Sequence, residues 1–326
     1  MRALRITRPG GPEVLQIGEH KLRAPGPGEV HVEVRAAGVN RADILQRLGF
    51  YPAPPDAPPD VPGLEFAGIV VGRGEGATRF ALGDRVMGIT GGGACAEALL
   101  AHERTLLPVP ALLSDSQAAA VPEAFMTAFD ALTLQGEMRM GERVLVQAVG
   151  SGVGTAAVQL IRAAGAQALG TSRTADKLVQ AVSLGLDVPV HTTDGRFADA
   201  VRAATGGEGV DLILDLVSGD YVREGLFALA PRGRLIVVGL LAGPRTDLPL
   251  GLLLTKRLTI RGTVLRSRPL EEKIAVARAF ARHVLPGLAD GTLRPVVHAV
   301  LPMAEAAEAH RAMQAEAPFG KLVLTW

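Results

Sequence analysis

"LVQAVGSGVGTAAVQLIRAAGAQALGTSR", residues 145–173, decides the fold. An apolar run meets a glycine cluster, an amphipathic stretch follows, and a second apolar run ends in Thr171, Ser172 and Arg173. Strand, tight turn, helix and strand in that order open a doubly wound parallel sheet. In such a unit glycine lets backbone N–H groups approach a diphosphate, which the positive end of the helix attracts. Gly150, Ser151, Gly152, Val153 and Gly154 are therefore the candidate phosphate turn. Their Gly-x-Gly-x-Gly spacing departs from the usual G-x-G-x-x-G, and a purely structural turn would also account for it.

The sheet continues downstream. Apolar runs at 188–192, 210–217, 233–240 and 258–264 alternate with helical patterns near 175–184, 196–204, 220–230 and 248–256. Runs that are apolar on both faces and joined through helices predict a parallel sheet covered on both sides. Upstream the style differs. Short alternating strands at 29–39, 63–74, 83–89 and 94–102, broken by Gly and Pro, predict a barrel-like β unit. A helix is expected over 114–134 with Ser116 as its cap, and another over 271–291. The expected division is 1–120 for the β unit, 121–264 for the doubly wound domain and 265–326 for a segment that returns to the β unit.

Composition excludes several classes. Lys plus Arg is 34 against 33 acids, a net charge of +1, so no field gathers nucleic acid or anionic membrane. One cysteine, Cys95, excludes an intrachain disulfide framework and any multi-cysteine zinc site. The N-terminal "MRALRITRPG" lacks the apolar segment of an export signal, and no apolar run is long enough for a membrane span. A cytoplasmic protein with a small-molecule partner is the expectation.

The end of the second strand bears on the nucleotide. A site for NAD places Asp or Glu about 20 residues past the glycines, on the ribose hydroxyls, whereas a 2′-phosphate calls for cations and hydroxyls. Here stand Thr171, Ser172, Arg173 and Lys177, with Asp176 beyond the strand end as a helix cap. The pattern points to NADPH; a solvated basic face is the alternative.

"GVNRADILQRLGFYPAPP" (38–55), "PGLEFAGIVVGRG" (62–74), "GDRVMGI" (83–89), "PEAFMTAFDAL" (122–132), "GSGVGTAAVQL" and "LRSR" (265–268) together resemble the zinc-free medium-chain dehydrogenase/reductases. Within them the chain looks most like the tumour-suppressor-inducible quinone oxidoreductase group, with the zeta-crystallin-type quinone reductases next. The resemblance implies a Rossmann sheet plus a GroES-like β-barrel catalytic domain, with NADPH in the cleft between them. Where the zinc-dependent relatives carry a cysteine ligand and a histidine ligand, this sequence has Asn40 and Leu64, and no metal is expected. The remaining histidines do not pair at metal spacing. Without a Lewis acid, the feasible chemistry is hydride donation to an acceptor that is already electrophilic, a quinone or an activated enone.

Carried over residue by residue, the resemblance implies catalytic roles for Tyr51, which could stack on a quinone or donate a proton, and Asn40, which also contacts the cofactor. It places Thr127 and Lys321 by the nicotinamide, His191 by the adenosine phosphate, and Val217, Gly239 and Leu240 at strand ends along the cofactor. Asn40 also suits the N-cap of "RADILQRL", and Thr127 could bond its own helix. Arg266 and Arg268 are expected to bridge acids at the domain junction. A homodimer or tetramer through the outer strand 258–264 is implied too. Two alternatives stay open: an enoyl-thioester or enone reductase, and a non-catalytic NADPH-binding protein of structural or RNA-binding role.

Overall fold

The computed structural model describes residues 1–326, and the chain forms two compact units. One comprises Met1–Met126 with Leu265–Trp326, the other Thr127–Val264. No helix is long and apolar enough to cross a membrane.

The second unit holds the doubly wound sheet. Its six strands run in the order Val188–His191, Gln167–Ser172, Arg143–Val146, Val210–Asp215, Leu229–Val237 and Thr259–Gly262. Every pairing is parallel. Parallel strands need crossovers, and helices Gly152–Ala163, Ala175–Val182, Ala198–Ala204, Asp220–Ala228 and Leu250–Lys256 supply them. Leu145, Leu169, Ile213 and Leu235 are fully buried in the core of this unit, each removal from water contributing about 1.5–3 kcal/mol.

The first unit holds a seven-stranded sheet ordered Val297–Pro302, Lys321–Thr325, Glu29–Gly38, Glu65–Arg73, Arg85–Ile89 and Leu107–Pro108, with Ala98–His102 also paired to Glu29–Gly38. The C-terminal strand runs antiparallel to Glu29–Gly38, with Leu324 opposite Ala37. That register sets Lys321 beside the loop that opens helix Arg41–Arg47, and the site depends on it. A hairpin of Arg2–Ile6 and Leu15–Glu19 and helix Ala306–Gln314 join this unit as well. Sequence pattern did not announce either.

Two expected helices are broken. The segment 114–134 is Asp115–Ala119, then Pro122–Phe129, then a π-helical turn Asp130–Gln135. Pro122 cannot donate to the preceding turn and disfavours helical backbone at Val121, so the first helix must stop before it. Ser114 is the cap, not Ser116. The Ser114 hydroxyl accepts the Gln117 N–H at 3.2 Å, and the Gln117 side chain accepts the Ser114 N–H at 3.0 Å. Likewise 271–291 divides into Leu270–His283 and Leu285–Asp290, with Pro286 opening the second helix.

Candidate active site

In the second unit the strand Arg143–Val146 ends and the chain turns through Ala148, whose φ of 49° lies in the left-handed region. Ser151 then caps helix Gly152–Ala163 by accepting the Gly154 N–H at 3.0 Å. The first-turn N–H groups of Gly152 and Val153 have no helical partner, and no acid in that turn neutralises the positive helix end. The glycines serve close approach rather than unusual torsion. A Cβ on Gly154 would lie 2.6 Å from Val149 O, and one on Gly150 would lie 2.7 Å from Lys177 Cδ.

The basic corner lies against the same turn. Lys177 lies along Gly150, and its ammonium is held below the usual lysine range first by burial and then by the charge of Arg173. His191 Nε2 donates to Arg173 O at 3.1 Å, which brings the imidazole to this corner. Arg173, Lys177 and His191 thus gather beside the glycines. Ser172 is buried, and its hydroxyl accepts the Thr174 N–H at 3.1 Å, so it shapes the turn. Asp176 is not the cap of helix Ala175–Val182, a position Thr174 takes; it sits in the first turn, where a negative charge meets the helix dipole.

At the end of strand Val210–Asp215, the buried Asp215 carboxylate accepts the N–H groups of Val217 at 2.9 Å and Ser218 at 2.7 Å. This holds Ser218 at a φ of 59°. Gly239 passes so close that a Cβ would lie 2.5 Å from Leu216 O, and Leu240 beyond it is exposed. Thr127, on helix Pro122–Phe129, is buried, and its hydroxyl makes none of the back-bonds to its own helix that a mid-helix threonine often makes.

The first unit contains a charged cluster that sequence reasoning only partly foresaw. Lys321, 5% exposed, donates to Val39 O at 2.7 Å and Asn40 Oδ1 at 2.6 Å and pairs with Glu65 Oε1 at 2.5 Å. All three of its protons are thereby used. Asn40 in turn donates to Glu65 Oε1 at 3.0 Å and Gly38 O at 3.3 Å. Helix Arg41–Arg47 is secured by Asp43, whose carboxylate accepts the Asn40 N–H at 2.8 Å. The cap is therefore closed by Asp43, and the Asn40 amide is held in the ion-pair network.

Around this core lie Asp43, Glu123, Arg266 and Tyr51. Asp43 is 1% exposed and also accepts the Gly63 N–H at 2.8 Å; burial raises its pKa to about 6. Glu65 Oε2 accepts the Glu123 N–H at 2.8 Å. The Glu123 carboxyl has no hydrogen-bond partner in the chain; burial and then the Glu65 charge push its pKa up to about 8. Arg266 does not bridge acids. Its guanidinium donates to Gly91 O at 2.7 Å, Tyr51 O at 3.3 Å and Gln46 Oε1 at 2.6 Å, and it lies 4.8 Å from the centre of the Tyr51 ring. Burial raises the Tyr51 phenol above its usual range, the Arg266 charge opposing this. The signal for the missed residues was visible: Glu65 and Glu123 are acids set in otherwise apolar strand and helix patterns.

Cys95 is buried, and burial lifts its thiol well above the usual range, which leaves it unreactive.

Residues 152–281 match the zinc-binding dehydrogenase family and residues 26–111 the alcohol dehydrogenase GroES-like domain. The quinone oxidoreductase of Rattus norvegicus is 32% identical over 331 residues, spanning 99% of this chain and 97% of that protein. Among solved structures, the Escherichia coli quinone oxidoreductase complexed with NADPH aligns at a TM-score of 0.89 and 29% identity over 100% of both chains. The JamJ enoyl reductase aligns at a TM-score of 0.89 and 26% identity over 99% of this chain and 98% of that one. A Rossmann sheet with a phosphate-type glycine turn, and a GroES-like unit beside it in sequence, define a medium-chain dehydrogenase/reductase; the chain belongs to the quinone oxidoreductase family of these oxidoreductases.

Zinc, which the first matched family is named for, does not fit this chain. Of the two residues that the resemblance sets at ligand positions, Leu64 has no donor atom and the Asn40 amide is held by Glu65 and Lys321, and no three His, Cys, Asp or Glu residues gather where a metal ion could be held.

Proposed function

We propose that the protein is a zinc-independent NADPH:quinone oxidoreductase acting on a quinone or activated enone. The observation that carries the reading is the Lys321–Glu65–Asn40 network. It holds Asn40, which with Leu64 stands by resemblance where zinc-dependent relatives carry metal ligands, and so supports a site that works without a Lewis acid. An acceptor here must be electrophilic on its own. Relatives named quinone oxidoreductase, one of them complexed with NADPH, support the same reading.

The residues fit the cofactor. Gly150, Ser151, Gly152, Val153 and Gly154 would hold its diphosphate, through N–H groups at a helix end that carries no acid. Arg173, Lys177 and His191 would hold the 2′-phosphate, with Ser172 shaping the turn beneath them. Val217, Gly239, Leu240 and Thr127 would flank its ribose and nicotinamide. Bound NADPH supplies a hydride from C4 of the nicotinamide. Asn40, oriented by Lys321 and Glu65, and Tyr51, with Arg266 against its ring, would be the first unit's contributions beside the nicotinamide and the acceptor. A homodimer would form along Thr259–Gly262, the outer strand of the six-stranded sheet, near which Leu254 and Val264 are exposed.

A second reading is favoured by the JamJ alignment: enoyl reduction on the same scaffold. Steady-state turnover of a quinone panel and an enoyl thioester, each with NADPH and NADH, separates the readings. Quinone reduction with NADPH preferred supports the first; efficient enoyl-thioester reduction without quinone turnover replaces it.

A further inference from the structure

Three carboxyl groups and two cations of the first unit lie within electrostatic reach of one another: Asp43, Glu65 and Glu123 against Lys321 and Arg266. Five ionised groups would leave one excess negative charge in a desolvated place, a situation folded proteins relieve by retaining a proton. The hydrogen bonds say where. Glu65 receives the Lys321 ammonium, the Asn40 amide and the Glu123 N–H, all donors that favour a carboxylate. Asp43 receives two backbone N–H groups. Glu123 receives no donor, so the proton resides there.

We propose that Glu123 is the proton store of the reaction, a neutral carboxylic acid that gives its proton to the acceptor when hydride transfer makes it negative and is reloaded from solvent. The proposal rests on the quinone-reductase reading above. Reduction of a quinone takes two electrons and two nuclei of hydrogen. The hydride, drawn from reduced nicotinamide, brings both electrons and one hydrogen. The second hydrogen comes as the Glu123 O–H bond breaks, its electron pair remaining on the carboxylate, while a new O–H bond forms on the acceptor. Water then returns a proton to Glu123, which is only half-buried.

The neighbours suit this cycle. Lys321 and Arg266 stabilise the carboxylate left behind, while Glu65 and Asp43 oppose it, so neither form is trapped. The expected affinity of Glu123 for its proton, about 8, lies close to neutrality, where a general acid works best.

The test uses the full-length chain and its Glu123→Gln and Glu123→Asp variants. Infrared difference spectra across an alkaline titration, with isotope-labelled glutamate, should show a protonated-carboxyl band that disappears with a midpoint near 8 and is missing in Glu123→Gln. With a quinone and NADPH, Glu123→Gln should lose about tenfold or more in kcat with little change in KM, and should lose the alkaline fall in kcat. Glu123→Asp, which retains an acid, should recover part of both. A band that survives in Glu123→Gln overturns the store, as does wild-type turnover and pH profile in that variant. A wild type that carries the band yet turns over no quinone overturns the functional reading, and the delivery step with it.

Discussion

The ammonium of Lys321 donates to the side-chain oxygen of Asn40 at 2.6 Å, joining residues 281 positions apart. The contact makes the C-terminal strand part of the site. Without it the Asn40 amide could rotate, and Glu65, fully buried, would lose its counter-charge.

Lys321→Met should therefore cost about 3–5 kcal/mol of stability, the usual penalty for leaving one buried charge unpaired. Urea denaturation measures it. The double variant Lys321→Met with Glu65→Gln should recover much of the loss, because no charge is then stranded. A single variant within 1 kcal/mol of wild type, a figure of about the size of an exposed pair, would mean the bridge is effectively solvated.

At the basic corner, Arg173→Ala combined with Lys177→Ala should raise KM for NADPH by about ten- to a hundredfold, as expected on losing two charge-assisted hydrogen bonds. KM for NADH should change little. An equal rise for both nucleotides would remove the 2′-phosphate assignment.

Gly154→Ala would place a Cβ 2.6 Å from Val149 O and 2.7 Å from Ala148 O, both backbone atoms that cannot swing aside. The turn must open. We expect weaker nucleotide binding by about tenfold or more, together with a lower Tm, read by fluorescence titration and thermal melting. Gly251→Ala is the control, since nothing lies within 4 Å of its Cβ. That helix should gain about 0.5–1 kcal/mol, with binding unchanged.

Stability should depend on pH with two opposite slopes. Burial and the Arg47 charge lower the His310 pKa from 6.5 to about 3, so the unfolded chain binds the extra proton between those values. Stability from this group is complete above pH 6.5 and is lost as pH falls towards 3, by up to about 5 kcal/mol. Asp43 and Glu123 act the other way: with pKa values raised from 3.8 to about 6 and from 4.5 to about 8, the folded chain holds the extra protons, and stability falls as pH climbs from each ordinary value to the raised one. Urea midpoints across pH should show both slopes. His310→Gln should remove the acid one and Glu123→Gln part of the alkaline one; unchanged slopes would contradict the assignment.

Much of the second unit was legible because its signals are local. The apolar runs, the glycine turn and the basic strand end all lie within stretches where periodicity and turn chemistry act directly, and strands appear within a few residues of where the pattern puts them. Helix 114–134 was misjudged because apolar spacing continues across Pro122 while the backbone cannot. The charged cluster was harder. Asn40 and Lys321 could be picked out by resemblance, but their partnership depends on a strand register that returns from the far end of the chain. Glu65 lies next to Leu64, in a stretch read for what it lacked as a metal site, and the role of its carboxylate emerges only when Lys321 and the Glu123 N–H are seen to converge on it. Arg266, expected to meet acids, instead meets carbonyl oxygens and an aromatic face, a preference that one-dimensional charge patterns do not encode.

On the proposed reading, reduced nicotinamide on this chain reacts with a quinone without help from a metal. Anaerobic single-turnover mixing of protein loaded with C4-deuterated NADPH against a simple benzoquinone, with chelator present, measures it directly. Nucleotide fluorescence should fall rapidly, with one hydroquinone formed per nucleotide oxidised and slowing by deuterium. Nucleotide that stays bound and reduced in the presence of quinone, or oxidation that stops when chelator is added, would contradict it.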